Sequence, residues 1–211
     1  MLENTTETVL AKQTVNRIEE LSGTYPGYRR AHAKGELYEA IFTPTGKAAP
    51  FTKAKHLKDS EVKAIVRFSN ASPNPTTSDV LSVIKGMSVQ FYLPSGENAN
   101  LVGVTIPIFV TKSPQTFFEI LNTVHSFKEG KPHFKDMVKL FASYPESRAA
   151  IQIIRKLKNT KSYATARYFT MHAFYLVDEE GNRVPVKFEW EPEAGIETLS
   201  FKEMIDLPKT V

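Results

Sequence analysis

The chain has 211 residues, with 27 Lys and Arg against 23 Asp and Glu, a formal net charge of +4 and no cysteine. This length suits one domain with a sizeable hydrophobic core. The near balance of charges, without any block of five like charges, excludes a basic nucleic-acid-binding tail. The absence of cysteine excludes disulfides and a thiol nucleophile.

The chain contains no apolar stretch of the about 20 residues that a membrane span needs. It also lacks the shorter apolar core of a secretory signal peptide. We therefore expect a cytoplasmic protein with neither a membrane nor a nucleic acid as a partner.

The N-terminal part of the chain has the spacing of a helix. Residues 5–21 place apolar side chains near a period of 3.6, and Gly23, followed by Pro26, is a helix stop. This predicts an N-terminal helical arm at residues 1–22, followed by a core domain at residues 23–211.

The core domain begins with segments that favour strands. Four runs rich in Val, Ile, Phe and Tyr, at residues 36–43, 62–69, 86–93 and 101–110, are separated by clusters of Pro, Gly, Asn or Ser. Helical patterns then start at residues 113–114, cross residues 137–141 and start again at residues 145–147. Strands at residues 168–177 and 184–190 flank a turn that contains Gly181-Asn182. The order of strands, helices and strands predicts an α+β fold.

His32 is the first candidate for chemistry. It lies in the run RRAHAKG at residues 29–35, directly before an alternating segment at residues 36–42. The alternation predicts that His32 stands at the start of a half-buried strand. A buried neutral imidazole can accept and return a proton. A core histidine bonded to a backbone carbonyl is the alternative, and for a lone histidine it is the more frequent case.

Several further motifs accompany His32 in a fixed order. They are VRFS at residues 66–69, KGMSVQFY at 85–92, NLVG at 100–103, PIF at 107–109, PES at 145–147, HAF at 172–174, KFEW at 187–190 and GIETLS at 195–200. Together they resemble the haem catalase family, and the short catalase-related peroxidases in particular. The resemblance implies a peroxide substrate, haem b as cofactor, and an antiparallel eight-stranded β-barrel with external helices. With about six strand candidates the barrel would be incomplete.

The resemblance also assigns roles to polar residues. His32 matches the distal acid/base, and Ser69 matches the serine that holds its imidazole by a hydrogen bond. Arg29 and Arg67 match the guanidinium groups that pair with the haem carboxylates. Lys85 stands where the family usually has a third arginine, so the charge is kept and the bidentate fork is lost.

Three apolar positions are further cofactor-binding candidates. Phe109 and Phe117 match aromatics that line the distal channel near the haem, although on their own both read as ordinary core residues. Val104 stands where typical catalases have an asparagine that polarises peroxide. The absence of this asparagine should depress disproportionation of two peroxides more than reduction of peroxide by an organic donor.

The proximal iron ligand of the family is a tyrosine in the motif Arg-x-x-x-Tyr. None of Tyr163, Tyr168 and Tyr175 has an arginine four residues before it, so no metal ligand is assigned within this chain. The resemblance thus implies a core truncated at its C-terminal side, with an open sheet edge that favours a homo-oligomer. Two functions remain. The first is a haem-dependent peroxide-decomposing enzyme, a peroxidase with weak catalase activity. The alternative is a truncated domain without haem or activity, either a non-enzymatic remnant or a fragment of a longer enzyme.

Overall fold

The computed structural model describes residues 23–58, 60–113, 116–120 and 142–207, together with residues 13, 16 and 19–21. Its strands are β1 (Gly35–Phe42), β2 (Val62–Asn70), β3 (Lys85–Tyr92), β4 (Asn98–Val104), β5 (Tyr168–Phe169), β6 (Phe174–Val177), β7 (Arg183–Val186) and β8 (Glu189–Trp190). Its α-helices are α1 (Ser147–Lys156) and α2 (Phe201–Asp206). Single turns of 3-10 helix span Ala49–Phe51, Lys55–Leu57, Asp79–Leu81 and Tyr163–Thr165.

The strands form one six-stranded sheet in the order β1-β2-β3-β4-β5-β8 and a separate β6-β7 hairpin. All of the pairings are antiparallel. Strands β1 to β4 pair in chain order, and the turn between β3 and β4 is tight, since Gly96 has φ +81 and the Leu93 amide donates to the Glu97 carbonyl. The predicted α+β class with an antiparallel sheet is confirmed.

One face of the sheet carries the hydrophobic core. Its buried members alternate along β2, β3 and β4, and they are Val62, Ala64, Val89, Phe91 and Leu101. The sheet curls over this face far enough for the ring of Phe42 on β1 to lie 6.1 Å from that of Trp190 on β8. The described residues of β1 and β8 nevertheless share no backbone pairing, so this part of the chain forms an open sheet, as the predicted incomplete barrel requires. None of the described helices has the length and apolar character needed to cross a membrane.

Some predicted boundaries were wrong. The predicted strand 101–110 is β4, which begins at Asn98 and ends at Val104, and Pro107, which cannot donate to a sheet ladder, lies beyond its end. The predicted strands 168–177 and 184–190 are each split into two short strands. The turn between β6 and β7 has five residues, and the Asp178 carboxylate accepts the amides of Glu180 and Asn182 there.

The predicted helices are described only in part. Residues 13, 16 and 19–21 are helical, and the rest of the predicted arm lies outside the described residues. Residues 116–120 are helical, within the helix predicted from Ser113, whereas the helix predicted across 137–141 lies outside the described residues. The third predicted helix corresponds to α1.

His56 makes the stability of the fold sensitive to acid. Its ring stacks on Phe91 with centroids 4.7 Å apart, and burial lowers its pKa below the ordinary 6.5. Between that lowered pKa and 6.5 the unfolded chain binds more protons than the folded one, so stability present above 6.5 is lost as the pH falls. We expect His56→Phe, which keeps the stack and cannot titrate, to reduce the loss of unfolding free energy between about pH 7.5 and pH 5.5. Urea unfolding of both proteins at the two pH values measures this, and equal losses would contradict it.

Candidate active site

His32 lies in a turn before β1, so the prediction that it stands on a strand was wrong. Its backbone has φ 53, and it is the one non-glycine residue with positive φ in the described part of the chain. Such a conformation costs about 1–3 kcal/mol and persists only where surrounding contacts impose it. Those contacts come from Arg67, whose Nη2 donates to the carbonyls of His32 at 2.8 Å and Ala33 at 3.3 Å. The Ala33 amide also donates to the Ser72 carbonyl at 3.1 Å.

The imidazole of His32 rests on the sheet. Its Nδ1 lies 3.0 Å from Oγ of buried Ser69 on β2. Ser69 pairs with Gly86 of β3, and a Cβ on Gly86 would lie 2.7 Å from His32 Nδ1 and 2.9 Å from Ser69 Oγ. The ring can therefore occupy this place only above a glycine. Sequence reasoning missed Gly86, although a glycine inside a strand often marks such a close approach.

The surroundings of His32 favour the neutral imidazole. Burial lowers its pKa below the ordinary 6.5, and the positive charges of Arg67 and Arg29 lower it further. A hydrogen-bonding interaction with the Asn70 backbone opposes them and raises the pKa. At pH 7 the ring is therefore mostly uncharged and able to accept a proton.

Two arginines make the site cationic. The Arg67 guanidinium lies against Gly35, where a Cβ would be 2.6 Å from its Cζ. Burial and the nearby positive charge of Arg29 both lower the pKa of Arg67. Among the described residues no carboxylate forms an ion pair with either arginine, whereas the adjacent Arg30 pairs with Glu19 at 2.5 Å. Arg29 and Arg67 can therefore receive an anion from outside this part of the chain.

Lys85 lies on the opposite face of the sheet from the His32 imidazole. Side chains alternate along β3, so Lys85 lies on the face of the sheet opposite the one that Gly86 presents to His32. It is 3% exposed, and its Nζ donates to the backbone carbonyls of Asp79 and Ser82. Burial lowers its pKa, and the nearby Asp79 raises it.

Val104 lies beside the imidazole site. It pairs with Gly86 across β3 and with Phe169 across β5, so its side chain shares the face of Ser69. The hydroxyl of Thr105, the next residue, already has a hydrogen-bond partner, since its Oγ1 accepts the Lys85 amide at 3.1 Å. The position next to His32 therefore carries two methyl groups and no hydrogen-bond donor.

Phe109 and Phe117 form a second group. Their rings stack with centroids 5.6 Å apart, and the ring of His172 lies 6.0 Å from that of Phe109. These residues border a cavity of about 300 Å³, with Lys112 and Thr111 among its polar lining. The structure thus brings His32, Ser69, Arg67 and Arg29 together, and it groups the two phenylalanines with each other.

The face of the sheet that carries Ser69 and Gly86, opposite the hydrophobic core, suits a flat apolar group with acidic substituents. Leu37 on β1 is 67% exposed and Val102 on β4 is 61% exposed, and they lie in the same row as Arg67. Exposed apolar side chains beside two arginines and an imidazole fit one side of a haem with its two carboxylates. The described residues contain no group of three or more His, Cys, Asp or Glu side chains that could hold a metal ion.

The chain is similar in sequence to known proteins. The chain is 32% identical over 192 residues to a catalase-related peroxidase of Mycolicibacterium paratuberculosis, which covers 89% of this chain and 59% of the relative. It is 28% identical over 201 residues to a catalase-related peroxidase of Synechococcus elongatus, which covers 95% of this chain and 59% of the relative. The chain therefore spans less than two thirds of the length of these relatives.

A solved structure of a bacterial catalase shares the fold. It aligns with a TM-score of 0.67 at 22% identity and covers 92% of this chain and 38% of that one. A family model described as Catalase matches residues 10–209, which is nearly the whole sequence. The chain therefore belongs to the catalase family.

Proposed function

We propose that this chain contributes the distal side of a haem site and that His32 is the acid/base in the decomposition of peroxide. The observation that carries the proposal is the imidazole held on Gly86, 3.0 Å from Ser69 Oγ, with a lowered pKa. Membership of the catalase family supports haem b as the cofactor and peroxide as the substrate. The iron ligand is not assigned within these residues.

The chain's own residues would orient and transfer a proton. With Nδ1 donating to Ser69 Oγ, the lone pair of Nε2 is free to take a proton from a peroxide oxygen. The resulting imidazolium then returns the proton to the departing oxygen, as a general acid. Haem, when bound, supplies the iron chemistry at which the peroxide bond breaks. Ser69 fixes the orientation of the ring throughout.

Val104 determines which overall reaction is favoured. Its side chain offers no hydrogen bond to a second peroxide in the position where typical catalases carry an asparagine. We therefore propose that the site favours reduction of peroxide by an organic donor and has weak disproportionation activity. The names of the two catalase-related peroxidases among its relatives support this choice.

The arginines give the proposal a direct test in haem binding. Arg29 has no carboxylate partner among the described residues, and Arg30 is already paired with Glu19. We expect Arg29→Ala to weaken haem binding about threefold, because an exposed ion pair contributes up to about 1 kcal/mol. Arg30→Ala is the matched control, and it should leave the affinity unchanged.

The affinities follow from titrating each protein with haem and recording the Soret absorbance and the quenching of Trp190, the single tryptophan. Equal weakening by both substitutions would show that general positive charge, and not a site at Arg29, attracts the haem. No saturable binding by the unmodified chain would favour the alternative of a domain without haem.

A further inference from the structure

A polar network centred on the buried side chain of Asn70 lies on the side of the sheet opposite His32. The side chain of Asn70, which is 0% exposed, donates from Nδ2 to Asp79 Oδ1 at 2.8 Å and to the Thr77 carbonyl at 3.2 Å. Its Oδ1 accepts the Ser72 amide at 3.0 Å. Asn70 thus fixes the loop that follows β2 to the strand end that carries Ser69.

This network is tied to the turn of His32 at three points. The Ala33 amide donates to the Ser72 carbonyl at 3.1 Å. Nζ of Lys34 lies 3.9 Å from Asp79 Oδ2, so the same carboxylate faces both Asn70 and the His32 turn. The backbone of Asn70 interacts with the imidazole itself. Displacing Asn70 would therefore disturb the ring and the turn together.

We propose that Asn70 and Asp79 are positioning residues, which hold His32 in its left-handed turn and keep its ring on Gly86. The inference deepens the proposed function, since it rests on the role of His32 there. Neither residue touches the substrate side of the imidazole. Asp79 acts through Asn70, since its Oδ1 accepts the amide that fixes the end of β2, and through Lys34, whose Nζ lies 3.9 Å from its Oδ2.

Tyr163 provides a matched comparison. Its hydroxyl also donates to Asp79 Oδ1, at 2.9 Å, and its ring stacks on Phe68 with centroids 5.6 Å apart. Tyr163→Phe removes one hydrogen bond from the same carboxylate and keeps the stack. It leaves the bond between Asp79 and Asn70 in place.

The test is the pKa of His32, measured by NMR from the imidazole signals of the 211-residue chain without haem. The charged groups that act on this ring are Arg67 and Arg29, and none of the variants changes them. In Asn70→Ala and Asp79→Ala we expect the pKa to rise toward 6.5, because the released ring becomes hydrated. In Tyr163→Phe it should stay at the native value.

A purely structural role for the network would lower the melting temperature and leave the pKa of His32 unchanged, and that result would overturn the proposal. If the alanine variants do not fold, Asn70→Val provides the same comparison, because valine suits a strand and makes no side-chain hydrogen bond. The proposed function is tested separately. Normal peroxide chemistry after loss of His32 would remove the catalytic role, and the pKa comparison would still decide the positioning.

Discussion

Replacing His32 with alanine is expected to slow the reaction of the haem-loaded protein with hydrogen peroxide by about two to four orders of magnitude. The imidazole is the one titratable ring held by Ser69, and its lowered pKa keeps it in the proton-accepting form at pH 7. Stopped-flow absorbance of the Soret band measures the rate. The haem content should stay unchanged, since the substitution leaves Arg29 and Arg67 in place.

Two further variants separate the loss of the base from other effects. His32→Asn also removes the base, but asparagine tolerates the positive φ of this position better than alanine. Because His32→Asn lacks the same base, its reaction should be as slow as that of His32→Ala. His56→Phe replaces a histidine that stacks on Phe91 in the core, and it should react at the native rate. A native rate in both His32 variants would end the assignment of this residue as the distal base.

The first three strands could be predicted from the sequence almost to the residue. Alternation and the flanking Pro, Gly and Asn residues define β1, β2 and β3, and the structure places these strands within one residue of the expected bounds. The later strands could not be predicted as well. β5 and β8 have two residues each, too few to show an alternating pattern, and they exist because β5 pairs with β4 and β8 with β5.

The site was less predictable than the sheet. Motif order selected His32, Ser69 and Arg67, and the structure places them in contact. The left-handed turn of His32 was not predictable, because Arg67, 35 residues further along, imposes it. The register between β2 and β3 also had to be known before Gly86 could be placed under the imidazole and Lys85 on the other face.

Gly86 is the position where adding one methyl group should disturb the site most. A Cβ there would lie 2.7 Å from His32 Nδ1, 2.8 Å from Cε1 and 2.9 Å from Ser69 Oγ, which is closer than atoms in contact can approach. In Gly86→Ala the imidazole must leave its place and give up its hydrogen bond with Ser69. We expect the free energy of unfolding to fall by about 1–3 kcal/mol, as in other overpacked sites.

The effect on chemistry should be larger than the effect on stability. A displaced acid/base group costs on the order of a hundredfold in rate, even when the group itself is still present. Ser88→Ala is the matched control, because Ser88 lies on the same face of β3 two residues further along and pairs with Arg67. Stopped-flow rates with hydrogen peroxide, together with the NMR pKa of His32, test both variants. If Gly86→Ala kept the native rate and the native pKa, the imidazole would not require a glycine at this position. The packing of His32 against Gly86 of β3 would then be wrong. If Ser88→Ala were equally slow, the loss would reflect a general disturbance of the strand and not the contact between the methyl group and the ring.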